Sequence, residues 1–215
     1  MTTSGEGAGR AGTKGVPRAV RERQILAAAT GEFGRHGYEA TTMAAVAARV
    51  GVTKPLLHHY FGGKQDLYLA CLDPVGDRLL TAVRTALADR SPGAPPTALR
   101  VLSALFTTLD GRREDWFVLY DTTLPPGSEA ARRAAHHRAA VDALATTGTA
   151  ALLDAAGPAD PLDADALAYA WRGLCTALVR WWIRHPGESP DDMTRRCARL
   201  LAAGPALLAG GTATG

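Results

Sequence analysis

The sequence predicts an all-α fold in two parts, and three observations lead there. Every long segment carries apolar residues at a spacing of three and four. No segment alternates apolar and polar residues between turn dipeptides. Proline and glycine pairs cut the chain into stretches of helical length. A length of 215 residues with 47% hydrophobic residues exceeds one small domain and is enough for a substantial core. The expected division is a tail over residues 1–15, a helix-turn-helix module over 16–62, a larger helical domain over 63–209 and a flexible tail over 210–215.

Pro17 opens the first helix, which turns Ile25, Leu26, Ala29 and Phe33 inward and stops at Gly37. Thr41 reads as the N-cap of a short second helix, with Thr42 at its first free amides. Val46 and Val50 share one face of that helix. Ala47 admits a close crossing and Gly51 permits the positive φ of a tight turn. Thr53 caps the third helix, Pro55 falls in its first turn, and Leu57 with Tyr60 or Phe61 points to the core. Lys54, Pro55, Leu56, His58 and His59 are left facing outward.

A fourth helix starts near Lys64 and carries Leu67, Leu79, Leu80, Val83 and Leu87 up to Ser91-Pro92-Gly93. Pro74 removes one of its backbone bonds, so the helix is expected to kink near Cys71 or to break there, curvature around the core being favoured over an interdomain hinge. After Pro95-Pro96 come a fifth helix over 97–110 and a short aromatic sixth over 115–121, ended by Pro125-Pro126-Gly127. The seventh spans 128–156, and its charged half, Arg132, Arg133, His136, His137 and Arg138, is expected to face water. The eighth spans 163–185 with a stripe of Leu167, Trp171, Leu174 and Leu178. The ninth spans 190–208 with Met193, Cys197, Leu200, Leu201 and Gly204 on one side.

The chemistry of the second and third helices points to double-stranded DNA. Lys54 suits guanine acceptors and Pro55 or Leu56 suits thymine methyls, as the first outward residues of a recognition helix do. Phosphate contacts are assigned to Thr42, His58, Tyr60 and Lys64, with His59 as a further base contact. Net charge is only +3, but residues 1–64 hold nine Lys and Arg against four Asp and Glu, leaving 15 against 17 for the remainder. A basic module attached to an acidic remainder fits local DNA attachment better than general polyanion binding. Arg10, Lys14 and Arg18 read first as solvated, with a minor-groove arm as the sharper alternative.

Residues 21–72, with Ile25-Leu26-Ala27-Ala28-Ala29, Phe33, Gly37-Tyr38, Thr41-Thr42, Val46-Ala47, Gly51-Val52-Thr53, Leu57, His59-Tyr60-Phe61, Lys64 and Leu67, resemble the N-terminal domain of TetR-family repressors. The resemblance implies an all-helical homodimer whose first three helices bind DNA and whose C-terminal domain binds a small effector. It also places Thr42, Thr53, Lys54, His58, His59, Tyr60 and Lys64 at the family's DNA-contact positions. Two departures bear on operator sequence: His58 stands where tyrosine is usual, and Pro55-Leu56 replaces a common glycine-threonine pair.

The last two helices are apolar over a wide arc, with small residues Gly173, Ala177, Ala198 and Gly204, which suits a four-helix bundle across a two-fold axis. Leu174, Leu178, Trp182, Cys197, Leu200 and Leu201 are the expected interface. A dimer of this kind reads two half-sites roughly 34 Å apart, hence a palindromic operator. Leu102, Phe106, Trp116, Phe117, Tyr120 and Trp171 are the candidates for a pocket holding an effector at least partly apolar.

Other chemistries find little support. Cys71, Cys175 and Cys197 lie far apart, which suits a reducing, cytoplasmic setting and inert buried thiols. Histidine and cysteine spacings match no metal motif, and no cofactor is expected. Gly62-Gly63-Lys64 lacks the strand and leading glycine of a phosphate loop, and no nucleophile elbow or acid pair marks an enzyme. No membrane span or signal peptide is read in the chain. The expected function is that of a ligand-released, homodimeric transcriptional repressor.

Overall fold

A computed structural model of the chain describes residues 16–154 and 160–208. The expected tails, with Arg10 and Lys14, and the Gly157-Pro158 boundary lie outside those residues. The described residues form α1 (Arg18–Ala40), α2 (Met43–Val50), α3 (Lys54–Phe61), α4 (Lys64–Ala88), α5 (Thr97–Leu109), α6 (Asp115–Leu119), α7 (Glu129–Asp154), α8 (Pro161–Ile183) and α9 (Pro190–Leu208), with no strand among them. None of these helices is long and apolar enough to cross a membrane.

The α1–α3 unit is built from local signals. Ile25, Ala29 and Phe33 recur on one face of α1 and are fully buried against Val46 and Ala47 of α2 and Leu57 of α3. The cap of α2 is one residue later than expected. Thr42 is the N-cap, its hydroxyl accepting from the Ala45 amide at 3.1 Å, while Thr41 is buried and donates to the Gly37 carbonyl at 2.8 Å. Two adjacent threonines compete for the cap, and the end of α1 decides between them by engaging the first. Gly37 ends the regular part of α1 as expected: at φ 77°, ψ 168° it kinks the chain, and a short helical stretch continues beyond it to Ala40. Gly51 takes φ 71°, closing α2 onto α3.

α4 is the spine. Leu67, Tyr68, Cys71 and Leu72 bury against α1, and Leu79 and Val83 continue the same buried face into the C-terminal half. Pro74 does not break it; the helix is continuous from Lys64 to Ala88, with Pro74 on its exposed side. On that side the carbonyl that loses its N–H partner is not enclosed in the core.

Two expected faces turn out differently. The charged half of α7 does not simply face water. His137 is buried, its Nε2 3.0 Å from Asp73, and Arg133 reaches the same carboxylate at 2.8 Å, while Arg138 donates to the Leu119 carbonyl. α4 comes so close here that a Cβ on Gly76 would stand 2.4 Å from the His137 ring. Helical spacing predicts which residues share a face, but Asp73 and Leu119 are supplied from elsewhere in the chain.

On α8 the buried side is Ala164, Ala168, Cys175, Val179 and Trp182, so the large-residue stripe lies beside the core, with Leu167 and Leu174 exposed. Alanines on the inner side let α8 approach its neighbours closely, which a stripe of leucines does not. α9 likewise buries Met193 and Cys197 and leaves Leu200 and Leu201 outside. Arg113 fixes the end of α8. Its guanidinium lies 3.9 Å from the Trp182 ring and donates to the carbonyls of Trp182 and Glu188 at 2.8 and 2.9 Å.

Candidate functional site

The α2–α3 pair presents a polar outer surface on an apolar anchor. Leu57 is fully buried, and it holds α3 so that Lys54, Pro55, His58 and His59 are exposed and Leu56 half-buried. Thr53 caps α3, its hydroxyl accepting from the Leu56 amide at 3.4 Å, and Pro55 sits in the first turn, where its missing N–H costs nothing. Thr42 and Thr53 therefore stand at two exposed helix N-termini, where hydroxyl and free amides suit an anionic oxygen.

Three candidates carry internal partners. His58 Nδ1 is hydrogen-bonded to the Gly62 carbonyl, capping the end of α3. The Lys64 ammonium donates to the Glu39 carbonyl at 3.1 Å and lies 4.5 Å from the Tyr38 ring centroid, and burial lowers its pKa. The half-buried Tyr60 ring lies 5.4 Å from the guanidinium of Arg18.

Between α4, α5, α7, α8 and α9 lies a cavity of about 530 Å³. Its wall is almost entirely apolar, with Leu79, Val83, Val101, Leu105, Leu119 and Leu144 supplying the aliphatic surface. Of the expected pocket residues, Trp116, Tyr120 and Trp171 line it. Leu102 and Phe106 instead lie in the core, where Phe106 meets Trp182 edge-on at 5.4 Å, and Phe117 faces a groove outside. Trp182 and Cys197 are also core residues, fully buried within this chain, whereas Leu174 and Leu201 border the cavity and are exposed. Residues that share a helical face thus divide between core and cavity. Burial in the cavity wall pushes the Cys175 thiol up to about 12 and raises Tyr120 as well, so neither is an anion at neutral pH.

α6 links cavity and helix-turn-helix. Trp116, Leu119 and Tyr120 line the cavity, and the next residue, Asp121, is buried and grips the end of α1. The Tyr38 amide donates to its carboxylate at 2.6 Å, the Thr123 amide and hydroxyl donate to it at 2.7 Å each, and the Glu39 amide donates to the Thr123 hydroxyl at 3.1 Å. α1 and α6 are in direct contact, since a Cβ on Gly34 would lie 2.3 Å from the Glu114 carbonyl oxygen. Tyr68 of α4 donates to the Val118 carbonyl at 2.6 Å, and Arg78 pairs with the buried Asp115 at 2.5 Å. Burial raises the Asp115 pKa, opposed by Arg78. Sequence reasoning missed this clasp. Asp121-Thr122-Thr123 before two prolines carries an Asx-turn signal, but nothing in it names Tyr38 as the partner.

The profile of the tetR family of bacterial regulatory proteins matches residues 25–71. The HTH-type transcriptional activator FasR of Mycolicibacterium smegmatis is 43% identical over 81 residues, 38% of this chain and 36% of that protein. The HTH-type transcriptional dual regulator CecR of Shigella flexneri is 43% identical over 56 residues, 26% of this chain and 25% of that protein. The chain therefore matches about a third or less of the length of these curated relatives. The crystal structure of a TetR-like transcriptional regulator from Rhodococcus sp. RHA1 superposes over 92% of this chain and 100% of that one, with a TM-score of 0.63 and 28% identity. Residues 25–71 are thus similar to the helix-turn-helix domain of the tetR family of bacterial regulatory proteins, and the described residues share the all-helical fold of the TetR-like regulator from Rhodococcus.

Proposed function

We propose that the protein is a ligand-released transcriptional regulator that binds a palindromic operator as a homodimer. The observation that carries the reading is the α2–α3 surface: two threonine-capped N-termini with Lys54, Pro55, Leu56 and His59 displayed on a helix whose one fully buried residue is Leu57. Lys54 reads base acceptors, Pro55 and Leu56 meet thymine methyls, and Thr42, Thr53, Tyr60 and Lys64 hold phosphate. His58 offers only its second ring nitrogen, its first being engaged by Gly62. With an activator and a dual regulator among the similar proteins, the reading is of a regulator and not specifically of a repressor.

The effector is an apolar molecule held in the α4–α8 cavity against Trp116, Tyr120 and Trp171. Leu174, Leu178, Leu200 and Leu201 supply the face between subunits, three of them being exposed on α8 and α9. Ligand and operator favour different settings of α4 and α6 against α1, and the cavity wall continues directly into the Asp121 clasp.

The test is reciprocal. A compound that co-purifies with the protein, identified by mass spectrometry after denaturation, is added back. It is expected to weaken operator binding, and operator is expected to weaken its binding by the same factor. Equal ligand affinity with and without operator overturns the mechanism.

A further inference from the structure

The apolar cavity shares a wall with a second, chemically different hollow. A groove of about 810 Å³ runs between the end of α1, the loop after α6 and the outer face of α8, and Tyr120 and Arg172 border both spaces. Where the cavity is aliphatic and aromatic, the groove carries His36, Arg172, Arg180 and Arg184 beside Phe117 and Trp181. The Arg180 guanidinium lies 5.5 Å from the Phe117 ring.

The carboxylates nearby are already engaged. Asp121 accepts from Tyr38 and Thr123, Asp142 pairs with Arg172 at 2.5 Å, and Glu32 faces His36 at 3.7 Å. Among the described residues Arg180 and Arg184 enter no salt bridge and Asp121, which accepts only from uncharged donors, is the one carboxylate in the lining, so the groove keeps an excess of positive charge. Its floor on α8 is Gly173 and Ala177, and a Cβ on Gly173 would meet nothing within 4 Å. The dividing wall also holds polar handles. Trp116 Nε1 donates to Thr176 at 3.1 Å from the cavity side to the groove side, and the Tyr120 hydroxyl has no hydrogen-bond partner among the described residues. Arg172 and Asp142 are each about a third exposed, so their pair is screened and cheap to rearrange.

We infer that the ligand is an anionic amphiphile, with its apolar chain in the cavity and its phosphate or carboxylate head in the groove against Arg180 and Arg184. The inference rests on the cavity being the effector site and adds what kind of molecule it takes. Arginine and aromatic faces together suit an anionic head that the cavity itself would exclude, since burying an unpaired charge among leucines is prohibitive. The head then lies beside His36 and Gly37, next to the Asp121 clasp on α1.

Tryptophan fluorescence of the full chain, with Trp116 and Trp171 in the cavity wall and Trp181 in the groove, reports both parts. The probes are dodecyl phosphate and dodecanol, each below its micelle concentration. Dodecyl phosphate is expected to bind about tenfold more tightly, two screened arginines being worth about that factor. Arg180→Ala combined with Arg184→Ala removes the difference and leaves dodecanol unchanged. Equal affinity for the two probes, or a preference that survives the double variant, overturns the head-group site and leaves the cavity reading standing. Failure of both probes to bind overturns the cavity reading with it.

Discussion

The α2–α3 unit and the cavity region are held together at different ranges along the chain. In the first, the hydrogen bonds that set the helix ends are local: Thr42 to Ala45, Thr53 to Leu56, His58 to Gly62, with Gly51 at φ 71° between the helices. In the second, the contacts that shape the space join residues far apart: Asp121 to Tyr38, His137 to Asp73, Arg172 to Asp142, Arg113 to the end of α8. A surface that meets a repeating polymer is well served by short-range rules that reproduce one geometry. A cavity that must respond to occupancy is better served by long-range contacts, because these change when helices shift.

Four substitutions sharpen or break that contrast, in descending order of effect. Leu57→Ala removes the only fully buried residue of α3 and is expected to cost about 2–5 kcal/mol in chemical denaturation, with operator binding lost. A cost under about 1 kcal/mol would show that α3 is not anchored by this side chain. Gly34→Ala drives a methyl into the Glu114 carbonyl, which is backbone and cannot swing aside. It should lower stability by about 3 kcal/mol and separate α1 from α6. An unchanged melting temperature would mean that the α1–α6 contact yields freely.

Asp121→Ala leaves the Tyr38 amide without its carboxylate and should cost about 2 kcal/mol. Its distinguishing readout is coupling: ligand and operator should then bind nearly independently, with the affinity of each alone little altered. Coupling that persists in this variant would move the link between the two regions to α4.

The smallest effect is a pH dependence at the start of α9. Ser189 and Asp192 cap it reciprocally, and the Ser189 hydroxyl and amide, before the Arg195 guanidinium, hold the Asp192 carboxyl down to about 2. A lowered folded-state pKa contributes stability that is present above the ordinary carboxylate range and lost as pH falls towards about 2. Amide exchange in the first turn of α9 should accelerate over that interval, and Ser189→Ala should weaken the dependence, the Ser189 amide and Arg195 remaining. A pH-independent exchange rate in the wild type would contradict it.

The same division governs what was legible in the sequence. Helix order, the Gly51 turn, the Thr53 cap and the outward position of Lys54 follow from residues within one turn of each other, and the sequence displays them. Even there, Thr41 and Thr42 were separable only once the Gly37 carbonyl was in place to accept from Thr41. In the C-terminal part periodicity found the helices but not their inner faces. On α8 it picked Leu167 and Leu174 over Ala164 and Ala168, because size is visible in a sequence and closeness of approach is not. Phe106 and Trp182 look like pocket and interface residues until their edge-on contact closes the core between them. The clasp by Asp121, 83 positions from Tyr38, has no local trace at all.

Sequence reading by α3 is tested most directly by one measurement. Fluorescence anisotropy compares a palindromic duplex, selected by the wild-type protein from a random library, with a scrambled duplex of equal length and salt. The wild type should prefer the palindrome by about a thousandfold, the low end for specific recognition, and Lys54→Ala should lose about 1–3 kcal/mol of that preference while binding the scrambled duplex almost as before. A wild type that binds both duplexes equally, or a Lys54→Ala protein that keeps the full preference, would contradict the account.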